Sequence, residues 1–338
     1  MNQQVSFAGR AVIVTGAGGG IGREYALEIA RRGGRVLVND LGGDVGGRGG
    51  ASTMAEQGVD ENPIAGGGAV PNGDSGGTNQ GLKCMVEQAL AAFGRIDALI
   101  CNAGIMRNAL IEDITDEDWD ATIGVHLSGS FRLTRAVWPH MKRAGYGRIV
   151  YTASSAGLFG TDMVGAYASA KAGILGLMNV AAIEGAGHGI LANAIMPNAV
   201  TRMAMQAAQD WAGRGESHAS AGLPPEIGNS MNPEFNMPLG VYLASETCAD
   251  SHALWSQCLG RVARIFVGVV PGWHAQRQSA PTVEQIAEHW AEIADTASGF
   301  AMPGSPTEEL GLVLRQGANR EVRERGPTGG LSKACRSG

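Results

Sequence analysis

Tyr167 and Lys171 stand four residues apart in the run Tyr167-Ala168-Ser169-Ala170-Lys171. On a helix that spacing puts both side chains on one face, a turn apart. A free phenol ionises near pH 10 and is a poor base at neutrality. A neighbouring ammonium stabilises the phenolate and lowers that value, so the two read as a general base and its activator. The competing reading is a solvated helix face. Thirteen residues before the tyrosine, Ser154 follows a short apolar run. A hydroxyl there can steady charge on a substrate oxygen without exchanging a proton, or simply form a turn. Ser155 is the neighbouring competitor and Thr152 a weaker one.

A second chemical signal lies near the N-terminus, in Thr15-Gly16-Ala17-Gly18-Gly19-Gly20-Ile21-Gly22. It follows a strand-like run and opens a helical one. Glycines let backbone approach a pyrophosphate, while the unpaired N–H groups and positive end of the helix attract its charge. Gly16, Gly20, Ile21 and Gly22 are the candidate contacts. About twenty residues on, Asp40 ends the next strand-like run, where a carboxylate can accept both ribose hydroxyls and repel a 2′-phosphate. That favours NAD over NADP. Asp40 could instead cap a turn beside Gly42, and Arg23 or Arg48 could receive a 2′-phosphate.

The elements that must position these groups alternate. Strand-like runs at 11–14, 36–38, 69–70, 98–101, 149–152 and 190–195 are separated by helical candidates at 21–32, 79–93, 117–143 and 166–187. The crossovers are long enough to return each strand parallel to the last. The expected fold class is therefore α/β, a Rossmann-type doubly wound parallel sheet in one domain over 1–275. Residues 42–50 are too glycine-dense for helix or strand and read as a flexible surface connector or a loop folded near a cofactor. Beyond 275, Thr282 and Gln285 suggest a capping box, and Val283, Ile286, Ala287, Trp290, Ile293 and Ala294 share one helical face. A helical extension over 276–325, burying that stripe on its own sheet or on a second subunit, and a mobile tail over 326–338 are expected.

Together, Thr-Gly-x-x-x-Gly-x-Gly, Asn102-Ala103-Gly104 and Tyr167-x-x-x-Lys171, in this order, resemble the short-chain dehydrogenases/reductases over roughly the first 260 residues. The segments 38–44, 119–120, 125–127, 181–185, 197–199 and 282–297 further resemble the (3R)-hydroxyacyl-CoA dehydrogenase region of the peroxisomal multifunctional β-oxidation enzymes. The resemblance implies Ser154 as the serine that holds the substrate oxygen, Tyr167 as base, and Lys171 as tuner of that base and partner of the nicotinamide ribose. It also implies cofactor contacts from Leu41, Asp74, Ser75, Asn102, Ala103, Gly104, Pro197, Val200 and Thr201. Asp74 could equally be a plain loop residue.

Three places depart from the broad family pattern. His126 stands where most members carry asparagine, so the relay to the lysine could run through its carbonyl, its imidazole could titrate, or it could be a packed helix residue. Pro197-Asn198 replaces Pro-Gly, with the following threonine displaced to Thr201. Leu259-Gly260 replaces Gly-Gly after the last core strand. Between 199 and 238, Met203, Met205, Met231 and Met237 could line a substrate lid or fill core.

The implied reaction is hydride transfer between NAD and a secondary alcohol or ketone, most closely a (3R)-3-hydroxyacyl-CoA. A hydroxysteroid or other bulky cyclic alcohol is the alternative substrate, and a dinucleotide sensor without turnover the alternative class. Arg107, Arg202 and Arg214 are candidates for the phosphates of CoA. A homodimer or tetramer, with helices near 117–143 and 166–187 and the extension as contact surfaces, is implied by family analogy.

Composition narrows the classes. The 338 residues are 44% hydrophobic and 17% charged, which excludes a disordered or fibrous chain. The 52 glycines have no fixed period, so they mark turns and close contacts. A net charge of -6 without a basic stripe argues against nucleic acid. Five widely spaced cysteines, with no C-x-x-C, suggest a reducing compartment and no metal. With no basic, apolar leader, no run of about eighteen apolar residues and no Ser-Lys-Leu ending, a cytoplasmic chain off the membrane is expected, any hydration step lying on another protein.

Overall fold

A computed structural model of the chain describes residues 4–50, 53–60, 68–213, 224, 228–276 and 279–324. By internal contacts it divides into two compact units, Met1–Ile265 and Phe266–Gly338. Arg214 and the tail over 326–338 lie outside the described residues.

The first unit is built on one eight-stranded sheet. Its strands are β1 (Ala11–Thr15), β2 (Arg35–Asn39), β3 (Ala69–Asn72), β4 (Ala98–Cys101), β5 (Gly147–Thr152), β6 (Ile190–Pro197), β7 (Ala253–Cys258) and β8 (Arg261–Ile265). They stand in the order β3-β2-β1-β4-β5-β6-β7-β8, parallel as far as β7. Because successive side chains alternate across a strand, Ala11 and Ile13 enter one core and Val12 and Val14 the other. The first core is closed by α3 (Asn79–Phe93), α5 (Ser130–Ala144) and α7 (Gly165–Gly185). The second is closed by α1 (Gly20–Arg31) and, after α8 (Arg202–Ala212), by α9 (Pro233–Ala244). Layers on both faces explain why the strands read as continuous apolar runs. The chain reverses direction across the sheet between β1 and β4, and at such a switch point the carboxyl ends of the strands leave a crevice for ligands.

The structure refines the expected elements in five places. The helix expected over 117–143 is interrupted: α4 (Asp116–Ile123) passes through π-helical turns, Gly124–Gly129, into α5. Close approach accounts for glycine here, since a Cβ on Gly129 would stand 2.8 Å from the Gly76 carbonyl. Strand β8, absent from the expected set, returns antiparallel through a two-residue turn in which Leu259 and Gly260 have φ of 53° and 76°. Both central residues of such a turn need positive φ, which explains the usual glycine pair. Residues 42–50 are no free connector: Met106 N–H donates to Val45 at 2.8 Å and Arg107 Nε to Gly46 at 2.9 Å. A short helix α2 (Thr53–Asp60) follows them. Lastly, α7 has the length and mean hydropathy of a membrane-crossing helix. It nonetheless packs on the sheet, with Ala166, Ala170, Ile174 and Met178 buried, as a core helix does.

In the second unit the capping box is present, Thr282 and Gln285 bonding reciprocally. The helix it starts is short, however. It splits at His289 into α10 (Val283–Glu288) and α11 (Trp290–Ile293), and α12 (Pro306–Glu324) follows. The His289 ring stacks on Trp273 at 4.4 Å. The apolar stripe, expected to be buried on the chain's own sheet or on a second subunit, is exposed in the single chain, Val283 being 81% and Trp290 60% exposed.

Candidate active site

The crevice is floored by backbone. Thr15, last residue of β1, accepts at Oγ1 from the N–H groups of Asn102 and Ala103, each at 3.0 Å. The Asn102 amide returns to the carbonyls of Thr15 and Gly16 at 3.1 and 3.2 Å. These bonds tie the Asn102-Ala103-Gly104 turn to the glycine loop. Gly16 and Gly20 have positive φ, 63° and 55°, and a Cβ on Gly22 would overlap the Gly16 carbonyl. Gly19 precedes α1 without side-chain capping, and no acid lies in the first turn of that helix. Its N–H groups and dipole therefore present positive potential at the strand ends. Such a glycine cradle fits a dinucleotide diphosphate.

Asp40 closes one flank. Its Oδ2 accepts from Gly18 N–H at 2.9 Å and its Oδ1 from Gly42 N–H at 2.8 Å. The carboxylate therefore caps the turn beside Gly42, as one of the two sequence readings has it, and at the same time borders the glycine loop. Asp74 belongs to a polar ladder in which the Asn39 amide donates to Asn72 Oδ1 at 2.8 Å and to the Asp74 carbonyl at 2.9 Å, and the Asn72 amide to Asp74 Oδ2 at 2.8 Å. The Ser75 hydroxyl accepts from Gly77 N–H. Leu41 is 40% exposed beside this flank.

On the opposite flank, β5 and α7 deliver the reacting groups. Ser154 N-caps the short helix α6 (Ser155–Phe159), accepting from Ala156 N–H at 3.2 Å. Burial pushes the Tyr167 phenol above its ordinary range, and a hydrogen bond with Ser154 pulls it back. Ser155 is exposed, and the Thr152 hydroxyl is buried without a partner. Lys171 is buried, donating from Nζ to the Thr152 carbonyl at 2.6 Å with Nζ 5.5 Å from the Tyr167 ring centroid. Burial draws Lys171 down to about 7. This departs from the expected tuning. In the chain alone the serine, and not the lysine, offsets the burial of the phenol, because burial also weakens the ammonium.

His126 lies in the π-helical turns and is buried. Its Nε2 lies 2.8 Å from the Ile105 carbonyl and 3.1 Å from the Ile105 N–H, and its Nδ1 has no partner. Burial first, then the charge of Lys171, drive the imidazole down to about 3, so it is neutral at physiological pH. The reading of His126 as a titrating group is corrected on that ground. It acts as a strut. A Cβ on Gly104 would overlap His126 Cε1, which explains glycine at the end of the Asn-Ala-Gly turn. The His126 carbonyl accepts from Ser130 Oγ at 2.6 Å.

Beyond β6, Asn198 is clamped by Asn236, the two exchanging backbone and amide hydrogen bonds at 3.0 Å. Val200 N–H donates to the Met231 carbonyl at 2.7 Å, and Thr201 caps α8 through Ala204 N–H. The methionines divide: Met231 is buried and Met237 packs on the core, whereas Met205 on α8 is 50% exposed. Among the expected phosphate ligands, Arg107 is committed elsewhere. Its guanidinium is held by Gly46, Asp118 and Glu117.

Sequence reading placed Thr15 in the glycine motif without giving its hydroxyl a role, and gave none to Ser130 or Asn236. Asn236 left a signal of its own, a polar residue in a mainly apolar helix that finally lies 1% exposed.

Comparison with known proteins adds four findings. Residues 10–212 match the family model described as short chain dehydrogenase. A short-chain type dehydrogenase/reductase of Mycobacterium tuberculosis is 41% identical over 295 residues, 87% of this chain and 97% of that protein. Peroxisomal multifunctional enzyme type 2 of Mus musculus is 41% identical over 315 residues, 93% of this chain but 40% of that enzyme. The solved structure of full-length peroxisomal multifunctional enzyme type 2 from Drosophila melanogaster matches with a TM-score of 0.74 at 30% identity, over 92% of this chain and 50% of the other. The chain thus spans half or less of these two multifunctional relatives.

Proposed function

This chain belongs to the short-chain dehydrogenase family and is an oxidoreductase acting on CH–OH groups with a nicotinamide dinucleotide, and from that premise we propose that it moves hydride between NAD and a (3R)-3-hydroxyacyl-CoA. The observation that carries the reading is the convergence of Ser154, Tyr167 and Lys171 at one side of a crevice whose other side is the glycine loop. When bound, the dinucleotide supplies the nicotinamide that accepts or donates hydride. Gly16, Gly20, Ile21 and Gly22 would hold its diphosphate, Asp40 the adenosine ribose, and Asn102 to Gly104 its nicotinamide half. Asp40 supports NAD, because a 2′-phosphate beside that carboxylate meets like charge.

The chain's own groups then do the proton work. Ser154 donates a hydrogen bond to the substrate oxygen and fixes it beside the phenol. In oxidation Tyr167 takes the hydroxyl proton, and in reduction it returns one to the carbonyl oxygen. Burial favours the protonated phenol, which suits reduction, while the hydrogen bond with Ser154 favours the phenolate that oxidation needs. His126 stays neutral and steadies the tyrosine ring. The multifunctional relatives, and the likeness of residues 38–44 and 197–199 to their dehydrogenase region, support an acyl-CoA over a steroid. Exposed Val180 and Ile183 on α7 support self-association through that helix.

The test is NADH formation with purified chain and matched panels of (3R)-hydroxyacyl-CoA esters, hydroxysteroids and NADP in place of NAD. Turnover of the CoA panel with NAD supports the reading. Turnover of steroids alone replaces the substrate, and dinucleotide binding without any turnover replaces the class with a sensor.

A further inference from the structure

Arg202 was a candidate for the phosphates of CoA, yet its surroundings point elsewhere. It is the first residue of α8, follows the capping Thr201, and is exposed. A Cβ on Gly19 would lie 3.8 Å from Arg202 Nη2, and one on Gly20 would lie 3.6 Å from Thr201 Cγ2. The guanidinium therefore hangs over the glycine loop. Among the described residues it has no hydrogen-bond or ion-pair partner. Asp40, the acid that borders the loop, is turned to the N–H groups of Gly18 and Gly42. Two helix N-termini, those of α1 and α8, meet at this point, and neither has an acid in its first turn.

We propose that Arg202 is a diphosphate ligand: it grips the dinucleotide's phosphates from the side opposite the glycine N–H groups, so that α8 is fastened down by the cofactor. The proposal rests on the dinucleotide reading above. Glycine N–H groups alone supply neutral donors, whereas a guanidinium adds a charge-assisted, two-pronged contact that suits phosphate oxygens. Its place at the start of α8 means the same contact would tie that helix to the cofactor.

The experiment is calorimetric titration of wild-type chain, Arg202→Gln and Arg202→Lys with ADP, NADH, NADPH and CoA, at low and high salt, with thermal unfolding as the fold check. We expect Arg202→Gln to weaken ADP and NADH alike by about tenfold, with a shallower salt dependence, and Arg202→Lys to recover part of the loss. CoA binding should be unchanged. Unaltered ADP and NADH affinity in the glutamine variant overturns the proposal, as does a loss confined to NADPH or to CoA, which would hand the arginine to a different phosphate. A wild-type chain that binds neither ADP nor NADH overturns the dinucleotide reading itself.

Discussion

The His126 imidazole meets the Tyr167 ring edge to face, with centroids 5.1 Å apart and planes at 88°. Its Nε2 is engaged with the backbone of Ile105, one residue past the Asn-Ala-Gly turn. The tyrosine ring thus rests on a side chain pinned to the cofactor side of the crevice. The spacing between the two halves of the site is set by that strut, and by the glycine that leaves room for it.

Gly104→Ala should therefore injure stability and catalysis together. The added methyl would overlap the His126 ring, and overpacking of this kind costs about 1–3 kcal/mol. Urea unfolding should show the loss, and turnover should fall because the displaced imidazole no longer supports Tyr167. A variant with wild-type stability and rate would remove His126 from its supporting role.

Acid stability should report the same residue. An imidazole held near 3 in the folded chain and near 6.5 in the unfolded one leaves the unfolded state with the extra proton between those values. Stability present above pH 6.5 is then lost as pH falls, at up to about 1.4 kcal/mol per unit. From pH 7 to 5, wild type should lose about 2 kcal/mol more than His126→Asn. Equal losses would mean that the imidazole protonates in the folded chain.

Much of this site was legible from spacing, because local rules govern it. Tyr167 and Lys171 share a helix face through the helical period alone, and the glycine loop lies between a strand and a helix that its own sequence announces. His126 was visible but its role was not, since whether an imidazole titrates depends on burial created by Gly104 and Ile105 from one other segment and Lys171 from a second. The expected lowering of the phenol by the ammonium failed for a similar reason: the burial that brings Lys171 close also lowers its own affinity for a proton. In the extension, periodicity gave one helix, whereas stacking of His289 on Trp273 accompanies a break that no period encodes.

Asp40→Ala should lower the preference for NAD over NADP by roughly tenfold or more, since the carboxylate no longer repels a 2′-phosphate or accepts ribose hydroxyls. It should also cost about 1–3 kcal/mol by releasing the N–H groups of Gly18 and Gly42. Paired Kd values for NADH and NADPH check the first point. An unchanged ratio would refute the ribose assignment.

The direction of catalysis should depend on pH in opposite senses. Because the phenol is raised by burial, the phenolate fraction grows as pH climbs above neutrality. Hence kcat/KM, which reports the free enzyme, should rise with pH for alcohol oxidation and fall for ketone reduction. Flat profiles in both directions would indicate a proton carrier other than Tyr167.

Single-turnover hydride transfer with Tyr167→Phe tests the central claim most directly, alongside NADH affinity of the same variant. Removing only the phenolic oxygen should slow the hydride step by about a hundredfold or more while leaving NADH affinity within about twofold of wild type. Hydride transfer at the wild-type rate, in a variant that binds NADH normally, would contradict the assignment of the proton to Tyr167.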